Sequence, residues 1–180
     1  MTDEVALLER AKAYDLAALA ELYDRYAPRM YAYIYRRVSD AALAEDLTSE
    51  LFLRVVRAIQ NEQAWRDSFI AWLYRIAHNL VVDHYRRQPL APPILLDEAL
   101  VALDDDPASI VEDALARDRV RTAMRRLTAH QQEVLTLRFG EGLTARETAR
   151  VMEKTTGAVE ALQHRAVAAL RRILVGEETS

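Results

Sequence analysis

Apolar residues recur every three to four positions along most of the N-terminal half, and this spacing predicts amphipathic α-helices. The pattern predicts helices over residues 15–37, 41–59 and 69–87, with Ser39 and Asp40 giving a helix-start signal before the second. Pro28 is expected to break or kink the first helix, because proline lacks an N–H group and clashes with the preceding turn. The residues at helical spacing are Leu16, Leu19, Leu22, Tyr23 and Tyr26 in the first helix and Leu43, Leu47, Leu51, Val55 and Ile59 in the second.

The helix over residues 69–87 has an unusual polar side. At about 100° per residue, its core side holds Phe69, Leu73, Ile76, Ala77 and Leu80, with Trp72 at the edge. The opposite face carries Tyr74, Arg75, His78, Asn79, Val82, Tyr85 and Arg86. Rings stack on unpaired bases, guanidinium groups hold phosphates, and an amide reads a base edge. When the helix is taken alone, an equally good explanation is that these residues pack against a second domain or simply lie on the surface.

The composition changes after this helix. Residues 88–111 contain four prolines and the acidic run Asp104–Asp106, and they lack helical periodicity. We interpret this segment as a linker between two domains. The linker would divide the chain into a domain over residues 1–87 and another over residues 112–175, with a disordered tail at residues 176–180.

The C-terminal part has clear helix-start signals. A helix is predicted from about Ile110 to Leu127, and the segments 128–131 and 144–147 read as capping boxes that open two further helices. Gly140 and Gly142 should end the first of these helices near Phe139. After a turn over residues 153–155, a longer helix is expected over residues 156–174. Two short-linked helices of this kind are typical of a helix-turn-helix.

The net charge of −4 is distributed unevenly. Residues 1–88 sum to −1, residues 89–117 to −6 and residues 118–180 to +3. A positive C-terminal part strengthens the helix-turn-helix interpretation. All basic residues except Lys12 and Lys154 are arginine, which suits phosphate contact. A GC-rich genome would produce the same bias.

Composition also bounds the chemistry. The absence of cysteine excludes disulfides, thiolate catalysis and cysteine-ligated zinc. The four histidines show no metal-ligand spacing, so no metal, cofactor or catalytic residue is predicted, and we expect a protein that is not an enzyme. No apolar run reaches the length of a membrane span and the N-terminus lacks a signal-peptide pattern, so we expect no membrane insertion and a cytoplasmic location.

Three stretches resemble motifs of the bacterial RNA polymerase sigma factors of the extracytoplasmic-function (ECF) group, in the sigma-70 family. They are residues 44–52 (AEDLTSELF), residues 69–87 with FIAWLYRIAHN at their start, and the C-terminal region from Leu127 to Arg172. The resemblance covers about residues 15–87 and 112–174. It implies an all-α fold of two small helical domains, an N-terminal bundle and a C-terminal helix-turn-helix domain, joined by the acidic, proline-containing linker.

The resemblance implies a function in transcription initiation and a role for each motif. The partners would be core RNA polymerase, through its clamp and flap, and promoter DNA, with an anti-sigma factor as a further candidate partner. The polymerase-binding residues would be Glu45, Asp46, Ser49 and Glu50, although acids early in a helix are also explained by the helix dipole. The minus-ten residues would be Trp65, Arg66, Phe69, Trp72, Arg75, His78, Asn79 and Arg86, with a pocket for a flipped base.

The minus-thirty-five residues implied by the resemblance are Arg146, Thr156, Glu160, Ala161, His164 and Arg165. Related proteins often carry a basic residue where this chain has Glu160, so this position is a departure from the family pattern. The alternative function is a helix-turn-helix transcriptional regulator that binds duplex DNA without being a polymerase subunit. An enzyme is a second rival, because Asp46 and Glu50 form a carboxylate pair, but they have no histidine near them in the sequence.

Overall fold

The computed structural model describes residues 2–61, 63, 65, 68–87 and 110–177, and the structure of these residues is helical apart from short turns and connections. The all-α fold class is therefore confirmed. The chain forms two compact units, and the division between them falls within residues 88–109. These residues make up most of the predicted linker and lie outside the described residues. The helices are α1 (Thr2–Lys12), α2 (Leu16–Val38), α3 (Ala41–Gln60), α4 (Phe69–Arg86), α5 (Ile110–Arg125), α6 (Ala129–Leu135), α7 (Ala145–Val151) and α8 (Thr156–Glu177), with a π-helical turn at Thr136–Gly140.

The first helix was not predicted from the sequence. α1 packs against α2 and buries Leu7 and Ala11. The hydroxyl of Tyr26 on α2 donates a hydrogen bond to the carboxylate of Glu4 on α1. The pKa of Tyr26 is raised to about 12, mainly by burial and secondly by this hydrogen bond. Among the described side chains of α1 only Leu7 and Ala11 are buried, so the sequence of this helix shows only a weak apolar pattern.

Helix α2 runs through Pro28 without a break, so the predicted break at the proline is wrong. Its first turn is capped by Asp15, whose carboxylate accepts from the backbone N–H groups of Ala17 and Ala18. Buried residues lie on both sides of the proline, including Ala27 and Met30. Their packing offsets the lost backbone hydrogen bond, which costs roughly 3 kcal/mol in an isolated helix.

Helices α2, α3 and α4 pack pairwise and enclose the core of the N-terminal unit. Three positions differ from the predicted faces. Leu16 and Tyr23 were placed on the apolar side of α2 but are largely exposed, whereas Tyr74 was placed on the outer face of α4 and is 0% exposed. Tyr74 is buried because α2 and α3 both cover α4. The buried arc of α4 is consequently wider than the stripe that periodicity assigns.

The C-terminal unit is built around the two predicted capping boxes, and both are present. Thr128 accepts from the backbone N–H of Gln131 at 3.3 Å, and Thr144 accepts from that of Glu147 at 3.2 Å. Each Gln131 and Glu147 side chain accepts in return from the backbone N–H of its threonine. The core of the unit consists of Ala123, Met124, Leu127, Val134, Leu135, Leu137, Leu143, Ala149, Val151, Met152, Val159 and Ala166.

Two details of this unit differ from the prediction. The helix that starts after Thr128 changes into the π-helical turn, in which the Glu141 N–H bonds to the Thr136 carbonyl at 2.8 Å. This wider turn changes the direction in which the following side chains point, and Phe139 is 60% exposed. The last helix also continues to Glu177, so Gly176 and Glu177 belong to α8 and not to a disordered tail.

Candidate nucleic-acid interface

Four of the predicted minus-ten residues form one stripe on α4. Trp72, Arg75, Asn79 and Arg86 are spaced by three, four and seven residues, so they fall within about 60° of the helix circumference and extend over about 21 Å. Arg75 and Arg86 are exposed, while Trp72 and Asn79 are half-buried. The stripe therefore presents a ring, an amide and two cations along one side of the helix.

Two other residues of α4 modify this surface. His78, which was predicted to share it, lies about 60° or more outside the stripe and is half-buried. Asp83 lies about 20° outside the stripe, beside the edge formed by Trp72, and it was not among the predicted residues of this surface. A count at 100° per residue would have found it. One carboxylate beside two guanidinium groups leaves this surface with a net positive charge.

An aromatic cluster lies beside the N-terminal end of the stripe. The ring of Trp65 lies 4.5 Å from that of Phe69 and 5.6 Å from that of Trp72, measured between centroids. Tyr26 from α2 contacts Phe69 edge-on at 5.1 Å. Trp65 is 6% exposed and Phe69 is 3% exposed, so both rings belong to the core, and Trp72 is the ring of the three that reaches the surface. Arg66 lies outside the described residues.

Two tyrosines of the predicted outer face have structural partners. The Tyr74 hydroxyl accepts from Nε of Arg29 at 2.7 Å, and its ring contacts that of Tyr33 edge-on at 4.9 Å. The Tyr85 hydroxyl donates to the backbone carbonyl of Arg37 at 2.6 Å, and burial raises its pKa. Both side chains hold α4 against α2, so they are not free to stack on a base.

The predicted polymerase-binding residues lie together on α3. Glu45, Asp46 and Ser49 are exposed, whereas Glu50 is half-buried and pairs with Arg54 at 2.9 Å. Glu45 and Ser49 line one side of a groove of about 520 Å³ between α2 and α3. The other side of this groove is formed by Tyr23, Asp24, Ala27, Pro28 and Tyr31. Tyr23 was not predicted as a surface residue, because its helical spacing placed it on the core side, and Tyr31 was assigned to neither face.

The predicted minus-thirty-five residues are all exposed. Five of them lie on α8 within its first ten residues, and Arg146 lies on α7. Glu160 and His164 line a groove of about 520 Å³ with Ala145, at the start of α7, and Arg171. Ala161 and Arg165 lie about 100° further round α8, so the five residues on α8 form two adjacent strips.

The same groove contains two residues that the sequence did not single out. Phe139 lines it as an exposed ring, and Arg138 lies beside it. Nε of Arg138 donates to the side-chain oxygen of Gln163 at 2.8 Å, and the guanidinium also bonds to the carbonyl of Leu143. Arg138 thus connects the π-helical turn, the connection before α7, and α8. It holds the first half of α8 in place relative to α7.

Within the described residues, no group of three histidine or acidic side chains is placed to hold a metal ion. A search of the same residues finds no helix with the length and apolarity of a membrane span.

Comparison with protein families identifies two matches, in the order that the motifs predict. Sigma-70 region 2 matches residues 22–89, which include α3 and α4, and Sigma-70 region 4 matches residues 123–172, which include both capping boxes. The segment between the matches, residues 90–122, contains most of the predicted linker.

Individual proteins are similar over nearly the whole chain. The ECF RNA polymerase sigma factor BldN of Streptomyces coelicolor is 45% identical over 170 residues, which are 93% of this chain and 64% of BldN. SigK of Mycobacterium bovis, also an ECF RNA polymerase sigma factor, is 31% identical over 178 residues, covering 96% of this chain and 94% of SigK. The fold is similar to that of the sigma factor RpoE of Bartonella quintana in complex with the anti-sigma factor NepR, with a TM-score of 0.62, 18% identity, and coverage of 86% of this chain and 95% of RpoE.

Proposed function

This chain belongs to the ECF RNA polymerase sigma factors of the sigma-70 family, and we propose that it directs core polymerase to promoters through separate surfaces on its two helical units. In this role the chain supplies binding energy and sequence selection, while the polymerase carries out the chemistry. The site of action would be the cytoplasm, where core polymerase and DNA are found.

The stripe on α4 is the single observation that carries the minus-ten assignment. Asn79 lies between Arg75 and Arg86, with Trp72 one helical turn before Arg75. The two guanidinium groups would hold backbone phosphates while the amide reads the edge of an extruded base. The aromatic cluster of Trp65, Phe69 and Trp72 would form the apolar wall of the pocket. Trp72 would supply the exposed part of this wall, and the buried rings of Trp65 and Phe69 would support it from behind.

The exposed side of α8 supports the minus-thirty-five assignment. A helix entering the major groove uses residues of its N-terminal half, and Glu160, Ala161, His164 and Arg165 occupy that part of α8. The carboxylate of Glu160 would accept a hydrogen bond from the amino group of cytosine. Arg146 on α7 would contact the DNA backbone.

Two surfaces would contact the polymerase. The acidic residues Glu45, Asp46 and Glu50 would face a basic region of the clamp, and the groove between α2 and α3 would add apolar contact through Tyr23 and Tyr31. Phe139 in the C-terminal unit would contact the flap, because an exposed ring of this size is costly to leave in water. The acidic linker would follow the path of the RNA inside the polymerase.

An anti-sigma factor is a further proposed partner. The RpoE of Bartonella quintana is described in complex with one, NepR. In this chain such a protein would compete with the polymerase for the surfaces of α3 and α4.

Reconstitution of the holoenzyme tests the proposal. The purified chain is mixed with bacterial core RNA polymerase, and the complex selects sequences from a DNA pool randomised at the minus-ten and minus-thirty-five elements. Run-off transcription from the selected promoter should require both components. Binding of the selected duplex by the chain alone, with no stimulation of the polymerase, would instead support a helix-turn-helix regulator.

A further inference from the structure

The turn between α1 and α2 contacts the segment that carries Trp65. Nε2 of Gln60, the last residue of α3, donates a hydrogen bond to the hydroxyl of Tyr14 at 2.7 Å. Nζ of Lys12 lies 5.2 Å from the centroid of the Trp65 ring. Lys12 and Tyr14 lie two residues apart. Tyr14 contacts Gln60 at the end of α3, and Lys12 contacts Trp65, five residues after Gln60.

The backbone at Tyr14 is in an unfavourable conformation. Its φ of +62° belongs to the left-handed region, which favours glycine at the end of a helix and is uncommon for a bulky residue. The hydrogen bonds from the Tyr14 N–H to the Ala11 carbonyl at 2.9 Å and from the Asp15 N–H to the Arg10 carbonyl at 3.0 Å hold it there. Burial does not explain the choice of tyrosine, because the residue is 41% exposed. A strained position of this kind suggests a role beyond the backbone.

Lys12 contacts the Trp65 ring on one side of the aromatic cluster. An ammonium group near an indole is attracted by the negative face of the ring. Glu9 accepts a hydrogen bond from Lys12 at 3.0 Å, one turn earlier on α1, and this pair orients the ammonium group. Phe69 and Trp72 contact the same indole. The ring is therefore held between α1 and α4.

We propose that Tyr14 and Lys12 are positioning residues that hold Trp65 in place behind Trp72 and so fix the aromatic wall of the pocket for the flipped base. This inference rests on the proposed minus-ten function. Tyr14 would fix the end of α3 through Gln60, and Lys12 would fix the plane of the indole. A pocket that reads a base edge works only when its walls are held in the productive geometry, so these contacts act on promoter melting without touching the DNA.

The variant Tyr14→Gly separates this role from a structural one. Glycine relieves the backbone strain and removes the hydroxyl, so Tm should stay unchanged or rise. Formation of the open complex should nevertheless be about 2- to 10-fold slower, the effect of losing one hydrogen bond. Tyr14→Phe should be slowed to the same extent, since it removes only the hydroxyl. Lys12→Met should also slow melting, and Lys12→Arg should restore it because the cation is retained.

The assay uses the reconstituted holoenzyme and its selected promoter, with 2-aminopurine in the minus-ten element to report melting. Asp15→Ala is the matched control, because it removes the Arg10 pair at 2.7 Å and the cap of α2 from the same turn, while Asp15 contacts neither Gln60 nor Trp65. It should lower Tm and leave the melting rate unchanged.

The outcomes separate this inference from the proposed function. A Tyr14→Phe holoenzyme that melts the promoter at the wild-type rate, while Asn79→Ala is slow, overturns the positioning role and leaves the minus-ten assignment intact. Wild-type rates for both variants overturn the minus-ten assignment itself. Equal slowing by Asp15→Ala and Tyr14→Phe would assign the effect to the stability of the turn and overturn the positioning role.

Discussion

Replacing Asn79 by alanine isolates the minus-ten contact from the stability of the fold. Asn79 lies in the middle of α4, away from both helix ends. Its side chain is half-buried and does not belong to the apolar core. Alanine is the better helix former by roughly 0.7 kcal/mol, so the variant should be at least as stable as the wild type. A bidentate amide contact with a base is worth about 1–3 kcal/mol. The rate of open-complex formation should therefore fall by about 5- to 150-fold, at 1.4 kcal/mol for each factor of ten.

The assay compares two versions of one promoter, the duplex and a template with a pre-melted minus-ten element. The 2-aminopurine signal gives the melting rate on the duplex, and a filter-binding assay gives the affinity for both. Asp83→Asn is the control beside the stripe on the same helix. It removes a carboxylate that repels phosphates, so it should not slow melting. If Asn79→Ala melts the duplex at the wild-type rate, or if its stability falls by more than about 1 kcal/mol, the reasoning is refuted.

Four further predictions address the other surfaces. Asp46→Arg reverses an exposed charge on α3 and should weaken polymerase binding, more strongly at low salt, without lowering Tm; a titration of labelled chain with core polymerase at two salt concentrations measures this, and unchanged affinity at both would contradict it. Glu160→Arg should change the preferred minus-thirty-five base pair by about 1–3 kcal/mol, which a repeated selection from the randomised pool would reveal, whereas an unaltered consensus would remove the residue from base reading. Thr144→Ala removes the cap of α7 and should lower the free energy of unfolding by about 1 kcal/mol in a denaturant titration, a change that Thr144→Ser should largely avoid. The folded-state pKa of Tyr26 is raised to about 12, so the stabilising effect of its protonated hydroxyl is complete below the ordinary pKa near 10 and is lost as the pH rises through 12. The Tm of Tyr26→Phe should therefore decline less between pH 9 and 12 than the Tm of the wild type. Parallel declines of the two Tm values would be inconsistent with this linkage.

The sequence alone determined the features that depend on residues close together in the chain. Both capping boxes in the C-terminal unit are formed by side chains three positions apart, and each was predicted correctly. The stripe of Trp72, Arg75, Asn79 and Arg86 likewise follows from helical periodicity, and the order of the motifs was enough to identify the family. Such interactions are satisfied within one or two helical turns, whatever the rest of the chain does.

The tertiary structure decided which faces are covered and which distant groups meet. Tyr74 is buried because α4 packs against both α2 and α3, and Tyr23 is exposed because the groove between α2 and α3 opens beside it. The exposure of Phe139 depends on the π-helical turn, and the contact of Tyr14 with Gln60 joins residues 46 positions apart. Periodicity gives the direction in which a side chain points along its own helix. Burial depends on where the neighbouring helices lie, and that is decided only when all of them pack together.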